Sequence, residues 1–121
     1  MNDRPSLKPL VWIGSTRDDL RDAPSEVQGA VGFALYEAQR GAKSTAAKPL
    51  KGFGGAGVLE VISNHDGNTW RAVYTVKLAD AIYVLHVFQK KSKRGIATPQ
   101  HDIDLIKKRL REVIEQAKGN P

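Results

Sequence analysis

Three β-type segments follow one another almost without interruption in this chain: Leu59–Ile62, Thr69–Val76 and Ala81–Gln89. Each is dense in β-branched and aromatic residues, which suit a pleated, half-buried surface. The first gap holds Asn64-His65-Asp66-Gly67-Asn68, whose Asp-Gly pair is a hairpin signal, and the second, Lys77-Leu78-Ala79-Asp80, is short enough for another hairpin. Connections this short join antiparallel neighbours, because a parallel pair needs a crossover of about a dozen residues. The centre of the fold is therefore predicted to be a three-strand antiparallel meander, with the other elements arranged around it.

Those other elements can be read from periodicity. Lys8–Ile13 is a short β-type run closed by Gly14, and Ser15 is placed to cap a short acidic turn of helix through Leu20. Pro24 suits a first helical turn, and Val27, Ala30, Val31, Ala34, Leu35 and Ala38 follow at three- and four-residue spacing up to Gly41. That stripe implies packing on a sheet, so Phe33 and Tyr36 are given no functional role. Between Ala42 and Gly57 the periodicity disappears, which predicts a loop rich in Gly, Ala and Lys. Thr98 and Pro99 predict the cap and first turn of a final helix. Its apolar face carries Ile103, Ile106, Leu110, Val113, Ile114 and Ala117, and Lys107, Lys108, Arg109 and Arg111 lie mostly on the other. The order is strand, two helices, three strands, helix, an α+β domain. At 121 residues the chain reads as a single domain, 1–121, with its core at roughly 8–115.

Composition narrows the functional classes. No apolar run approaches the roughly eighteen residues of a membrane span, and Met1-Asn2-Asp3-Arg4-Pro5 does not lead into a signal-type core, so a cytoplasmic protein with no membrane partner is expected. The chain has no cysteine, which excludes disulfides, thiol nucleophiles and cysteine-ligated metals. Charge is unevenly placed. From Gln89 to Arg111 there are eight basic residues and two acidic ones, a surplus equal to the formal net charge of the whole chain, +6. The surplus begins where the last strand runs out through Phe88-Gln89-Lys90-Lys91-Ser92-Lys93-Arg94-Gly95. Such a concentration suits a polyanion, most simply nucleic acid, and the plainer alternative is a solvated loop followed by a charged helix face.

Strand alternation predicts which side chains meet. Trp70, Ala72, Tyr74 and Val76 share one face and Arg71, Val73, Thr75 and Lys77 the other; in the next strand Tyr83, Leu85 and Val87 oppose Val84, His86, Phe88 and Lys90. A tight turn at Leu78-Ala79 pairs Lys77 with Asp80 and carries Arg71 opposite His86. Trp70, Tyr74, Leu85 and Val87 are then expected in the core beneath the helix of residues 24–40. Arg71 is expected as an exposed strand arginine, sharing a convergent basic face with His86 and Lys90.

Other motifs weigh less. Gly52-Phe53-Gly54-Gly55-Ala56-Gly57 has dinucleotide-loop spacing but precedes a strand instead of linking a strand to a helix, so it reads as a connector. His65, His86 and His101 show no ligand spacing, so no metal site is expected, and no serine has a nucleophile-elbow context.

Several short motifs in order carry a resemblance: Lys48-Pro49-Leu50-Lys51-Gly52, Gly57-Val58-Leu59-Glu60, Trp70-Arg71-Ala72-Val73-Tyr74, His86-Val87-Phe88-Gln89-Lys90-Lys91-Ser92-Lys93 and Thr98-Pro99. Over roughly residues 8–115 the chain resembles the RelE/ParE toxin superfamily, most closely its HigB-like, phage-derived branch. The resemblance implies a RelE-like α+β fold: a small antiparallel sheet, two N-terminal helices on one face and a C-terminal amphipathic helix. It also implies a type II toxin that cleaves translated mRNA in the ribosomal A site without metal or cofactor. Its partners would be the ribosome, mRNA and a cognate protein antitoxin, of helix-turn-helix, HigA-like type. By position, Arg71 matches the strand arginine on the scissile phosphate, Lys90 or Lys91 the basic residue at the end of the last strand, and Lys48 and Lys51 the loop lysines on RNA backbone. Lysine stands where many relatives carry arginine at that strand end, and the C-terminal tyrosine or histidine of some members has no clear equivalent. The alternatives are a ParE-like gyrase inhibitor and a non-catalytic, phage-derived nucleic-acid-binding protein.

Metal-free RNA cleavage needs a base for the 2′-hydroxyl, cations for the charge that builds on phosphorus and an acid for the departing 5′-oxygen. Arg71 suits the second role, because its planar fork holds two phosphate oxygens and keeps its proton. The crowding of Lys90, Lys91, Lys93 and Arg94 favours loss of a proton from one lysine, since each cation disfavours its neighbour's charge. His86 is the other candidate for base or acid. The candidate catalytic set is thus Arg71, His86, Lys90 and Lys91, with Lys48, Lys51, Lys93 and Arg94 as RNA contacts.

Overall fold

The computed structural model describes residues 6–55, 57–90 and 98–119. Its elements are β1 (Leu10–Trp12), α1 (Thr16–Arg21), α2 (Ser25–Gln39), β2 (Ala47–Pro49), β3 (Val58–His65), β4 (Asn68–Thr75), β5 (Ile82–Lys90) and α3 (Gln100–Gly119). The strands form one sheet in the order β1-β5-β4-β3-β2. β3, β4 and β5 are the expected meander, antiparallel throughout, and β1 adds to β5 in parallel. The β3–β4 turn is a two-residue hairpin in which His65 faces Asn68, and Asp66 and Gly67 both take positive φ, 49° and 78°. That is the backbone an Asp-Gly pair favours. No helix among the described residues is long and apolar enough to cross a membrane.

Each face of the sheet is covered. On one, Val27, Val31 and Leu35 of α2 pack against Leu59, Val61, Ala72, Tyr74, Val84 and Val87. On the other, Ile106, Leu110 and Val113 of α3 pack against Val58, Val73 and Leu85, with Leu50 and Phe53 closing the side. In β4 the alternation sorts residues as expected. Within the expected loop of residues 42–57, however, Ala47–Pro49 forms an edge strand on β3. Three residues ending in proline carry no periodic signal, and proline is tolerated there because the strand lies at the sheet's edge.

The β4–β5 pairing departs from the expected register. Tyr74 faces Val84 and Thr75 faces Tyr83, but Val73 faces His86 and Arg71 faces Phe88, with a register shift between Val73 and Tyr74. One extra residue, Leu85, is accommodated as a bulge. Leu85 therefore joins the core under α3 and not the one under α2, and Arg71 is opposite Phe88 instead of His86. Arg71, Phe88 and Lys90 still share the α3 face with His86, because the bulge turns both Leu85 and His86 toward α3.

The bulge is tied down from above. Arg109 of α3 donates from Nη1 to the Leu85 carbonyl at 2.7 Å. The guanidinium passes over Gly14, where a Cβ would lie 2.6 Å from Arg109 Nη2 and where φ is +59°. Gly14→Ala is therefore expected to lower stability by about 2 kcal/mol in urea unfolding, from the left-handed backbone and the displaced Arg109 together.

Tyr74 is fully buried, and its hydroxyl has no hydrogen-bond partner among the described residues. Removing that hydroxyl with Tyr74→Phe should raise stability by about 1 kcal/mol. Burial pushes the phenol from its ordinary 10.0 up to about 12. The unfolded phenol ionises first, so this group leaves stability independent of pH below pH 10.0 and lowers it as pH rises toward about 12. Tyr74→Phe should flatten that part of the alkaline unfolding profile.

Candidate active site

Pairing across β2, β3 and β4 assembles the floor of a groove beside the first turns of α3. Lys48 lies opposite Glu60, Glu60 opposite Val73, and Ile62 opposite Arg71. Glu60 and Arg71 are thus diagonal neighbours on the α3 face, within reach of long side chains. Arg71 Nη1 donates to Glu60 Oε2 at 3.1 Å and to Thr98 Oγ1 at 3.2 Å. The two side chains are 4% and 13% exposed, so the strand arginine is buried and ion-paired, not exposed as expected. Burial follows from α3 and its leading residues lying across the strand, which the sequence pattern of β4 alone does not show.

The groove above this pair has a volume of about 490 Å³. Lys48 to Gly52 form one wall and Thr98, Gln100, Ile103 and Lys107 the other. Lys48, Lys51 and Lys107 are exposed. Three exposed cations around a buried guanidinium–carboxylate pair make a surface for an extended polyanion, with a carboxylate held close to the expected phosphate position. The Gly-rich connector helps to build it. Gly52, Gly54 and Gly55 take positive φ, which lets the short loop bury Phe53, and Lys107 Nζ lies 5.9 Å from the Phe53 ring centroid.

The expected site residues divide into three groups. Lys48, Lys51 and Arg71 meet in the groove. His86 and Lys90 lie on the same sheet face, but neither lines it. His86 Nε2 is 2.7 Å from Asp102 Oδ1 and its ring stacks on Phe88 at 4.5 Å, while Asp102 Oδ2 is 3.2 Å from His101 Nε2. His86 Nδ1 is buried with no hydrogen-bond partner among the described residues. Asp102 occupies the first turn of α3, where the helix dipole favours a carboxylate. His86 thereby anchors that turn to β5. Lys90 is buried at the end of β5, opposite Thr69. Lys91, Lys93 and Arg94 lie outside the described residues.

Glu60, Thr98, Gln100 and Lys107 also line the groove and were not among the expected site residues. Glu60 had a signal, as the acid between Val58 and Ile62 on one strand face, opposite Lys48. Among the described residues, no three His, Asp or Glu side chains are grouped to hold a metal ion.

These features define a small α+β protein with one covered sheet and a cation-rimmed groove at the mouth of its last helix. Residues 18–111 match the family described as Phage derived protein Gp49-like (DUF891). The chain belongs to this Gp49-like family. It is also similar to a chain in the crystal structure of the toxin–antitoxin complex RelBE2 from Mycobacterium tuberculosis, with 20% identity, 75% of this chain and 100% of that chain covered, and a TM-score of 0.46. Among curated proteins, none matches the chain significantly.

Proposed function

We propose that this protein is a RelE-like toxin of a toxin–antitoxin pair, an endoribonuclease that cleaves mRNA during translation. The observation that carries the reading is the buried Arg71–Glu60 pair at the floor of a groove rimmed by Lys48, Lys51 and Lys107. Membership of a phage-derived family and the order of the toxin-like motifs support it. A single-stranded message lies along the groove with its phosphates on the lysines. Arg71 turns from Glu60 to the scissile phosphate and stabilises the charge that accumulates there. The 2′-oxygen attacks phosphorus as its proton passes to Glu60, the bond to the 5′-oxygen breaks, and an acid supplies that oxygen's proton. Lys90, the last residue of β5, or Lys91, next to it in sequence, serves as that acid. His86, enclosed by Asp102 and Phe88, holds the groove wall in place instead of exchanging protons with RNA. A cognate protein antitoxin holds the activity in check.

The test is induced expression followed by primer extension on a reporter message. Cuts within the coding region are expected, and they should vanish when the start codon is removed. Combined Lys48→Gln and Lys51→Gln should weaken message binding and flatten its salt dependence by about two charges. Growth arrest with intact message and inhibited supercoiling would overturn this reading in favour of gyrase inhibition.

A further inference from the structure

The outer face of α2 holds two large side chains in water. Phe33 is 59% exposed and Tyr36 41%, three residues apart on the side of the helix that the core stripe of Val27, Val31 and Leu35 does not use. One turn toward the N-terminus on that side lie Gly29 and Gly32, where an added Cβ would meet nothing within 4 Å. Glycine inside a helix lowers its stability relative to alanine, and no close approach within the chain requires it at either position. Gly29 and Phe33 are four residues apart, as are Gly32 and Tyr36, so the exposed face has a glycine half followed by an aromatic half. Clustered aromatics on open helix backbone mark a surface for association.

We propose that α2 pairs with α2 of a second copy of this chain, antiparallel, about a two-fold axis that passes between Gly32 and Phe33. Such an axis lays the aromatic half of each helix on the glycine half of the other, with Tyr36 over Gly29 and Phe33 over Gly32. The glycines make room for the rings. The charges agree with this direction. Glu26, with its side chain 70% exposed, precedes the glycine half, and Arg40, 43% exposed, follows the aromatic half, so Arg40 of each copy comes beside Glu26 of the other. Within one chain Glu26 pairs with His65, and Arg40 with Glu37 and the Tyr36 ring, and both side chains keep open sides for a further partner. A parallel pair would set Glu26 against Glu26 and ring against ring. An unlike protein would have to supply both halves and both charges in the matching order, which a second copy does by symmetry. RNA is disfavoured, because the helix carries Glu26 and Glu37 against Arg40 at its end and so has no basic surplus. α2 covers the sheet face opposite the groove, so the pair leaves both grooves open and does not depend on the RNA-cleaving reading. One helix pair is small for a specific interface, which implies a reversible dimer.

Sedimentation equilibrium of the full chain over a rising concentration series should show monomer passing into dimer. Gly32→Leu fills the seat of Phe33 while replacing glycine with a better helix former, so association should fall at least about tenfold. The melting temperature of this variant, measured where both proteins are monomeric, should match or exceed that of the wild type. Glu26→Arg and Arg40→Glu should each weaken association by about tenfold, since either one turns two attractions across the axis into two repulsions. An equimolar mixture of these two variants should dimerise again, because each mixed pair restores both attractions. A chain that stays monomeric throughout would overturn the proposal and leave the face to an unlike protein. A dimer that Gly32→Leu leaves intact would place the contact elsewhere and overturn it too. Two charge variants that fail to associate when mixed would overturn the antiparallel pairing on which the proposal stands.

Discussion

Arg71→Ala is expected to lower stability by about 3 kcal/mol and to abolish message cleavage, and the two losses have separable causes. The stability loss comes from Glu60, which at 13% exposure would be left as a largely buried carboxylate without its ion-pair partner. Breaking such a pair from one side costs about 3–5 kcal/mol when both groups are buried, and the partial access of Glu60 to water places this case at the low end. Replacing both members, with Arg71→Met and Glu60→Leu together, removes the stranded charge and should restore most of the stability in urea unfolding. Cleavage should not return in that double variant. Loss of a group that stabilises charge on the reacting phosphate is worth about a hundred- to a thousandfold in rate, and better packing does not replace it. Arg71→Lys supplies the third comparison. It keeps the positive charge opposite Glu60 but cannot hold two phosphate oxygens in one plane, so a near-normal fold with a much slower single-turnover rate is expected. Cleavage retained by the double variant would remove Arg71 from the chemistry.

The contrast between this buried arginine and the exposed one expected from sequence shows where pattern reading stops. Strand alternation depends only on the backbone repeat, so the faces of β4 could be read directly, as could the Asp66-Gly67 hairpin and the stripe of α2. Leu85 could not. A bulge adds one residue without changing local composition, and here its carbonyl is held by Arg109, which is twenty-four residues away and was counted only as surface charge. Long-range contacts also explain the site. Lys48 and Lys51 were legible only through the resemblance, which matched them to loop lysines on RNA backbone, and Lys107 was counted only as charge on the last helix. The partners of Arg71 come from β3 and from Thr98, two residues before α3, and no local spacing links Glu60, Arg71 and Thr98. His86 shows the same limit: its nature as a titratable strand residue was legible, but its pairing with Asp102 depends on where α3 begins.

Glu60→Gln distinguishes the groove from the strand end as the source of the base. The amide oxygen of glutamine can still accept from Arg71, so the floor keeps its shape and stability should change little compared with Arg71→Ala. If Glu60 takes the proton of the 2′-hydroxyl, the single-turnover rate at saturating ribosomes should fall by about a hundredfold or more. Binding should move the other way. The substitution removes a negative charge beside the phosphate path and releases Arg71 from a competing carboxylate, so affinity for a message with a 2′-deoxy nucleotide at the cleavage position should rise. A slower reaction joined to tighter binding is not what loss of a merely structural residue produces, since a distorted groove weakens both. Lys90→Gln gives the opposing comparison, because removal of a cation cannot tighten RNA binding through charge. Since Lys90 is a candidate for the acid, a slower rate in Lys90→Gln is expected whichever group is the base, and a rate near wild type in Glu60→Gln would remove Glu60 as that base. The Arg71–Glu60 pair would then serve only to position the phosphate.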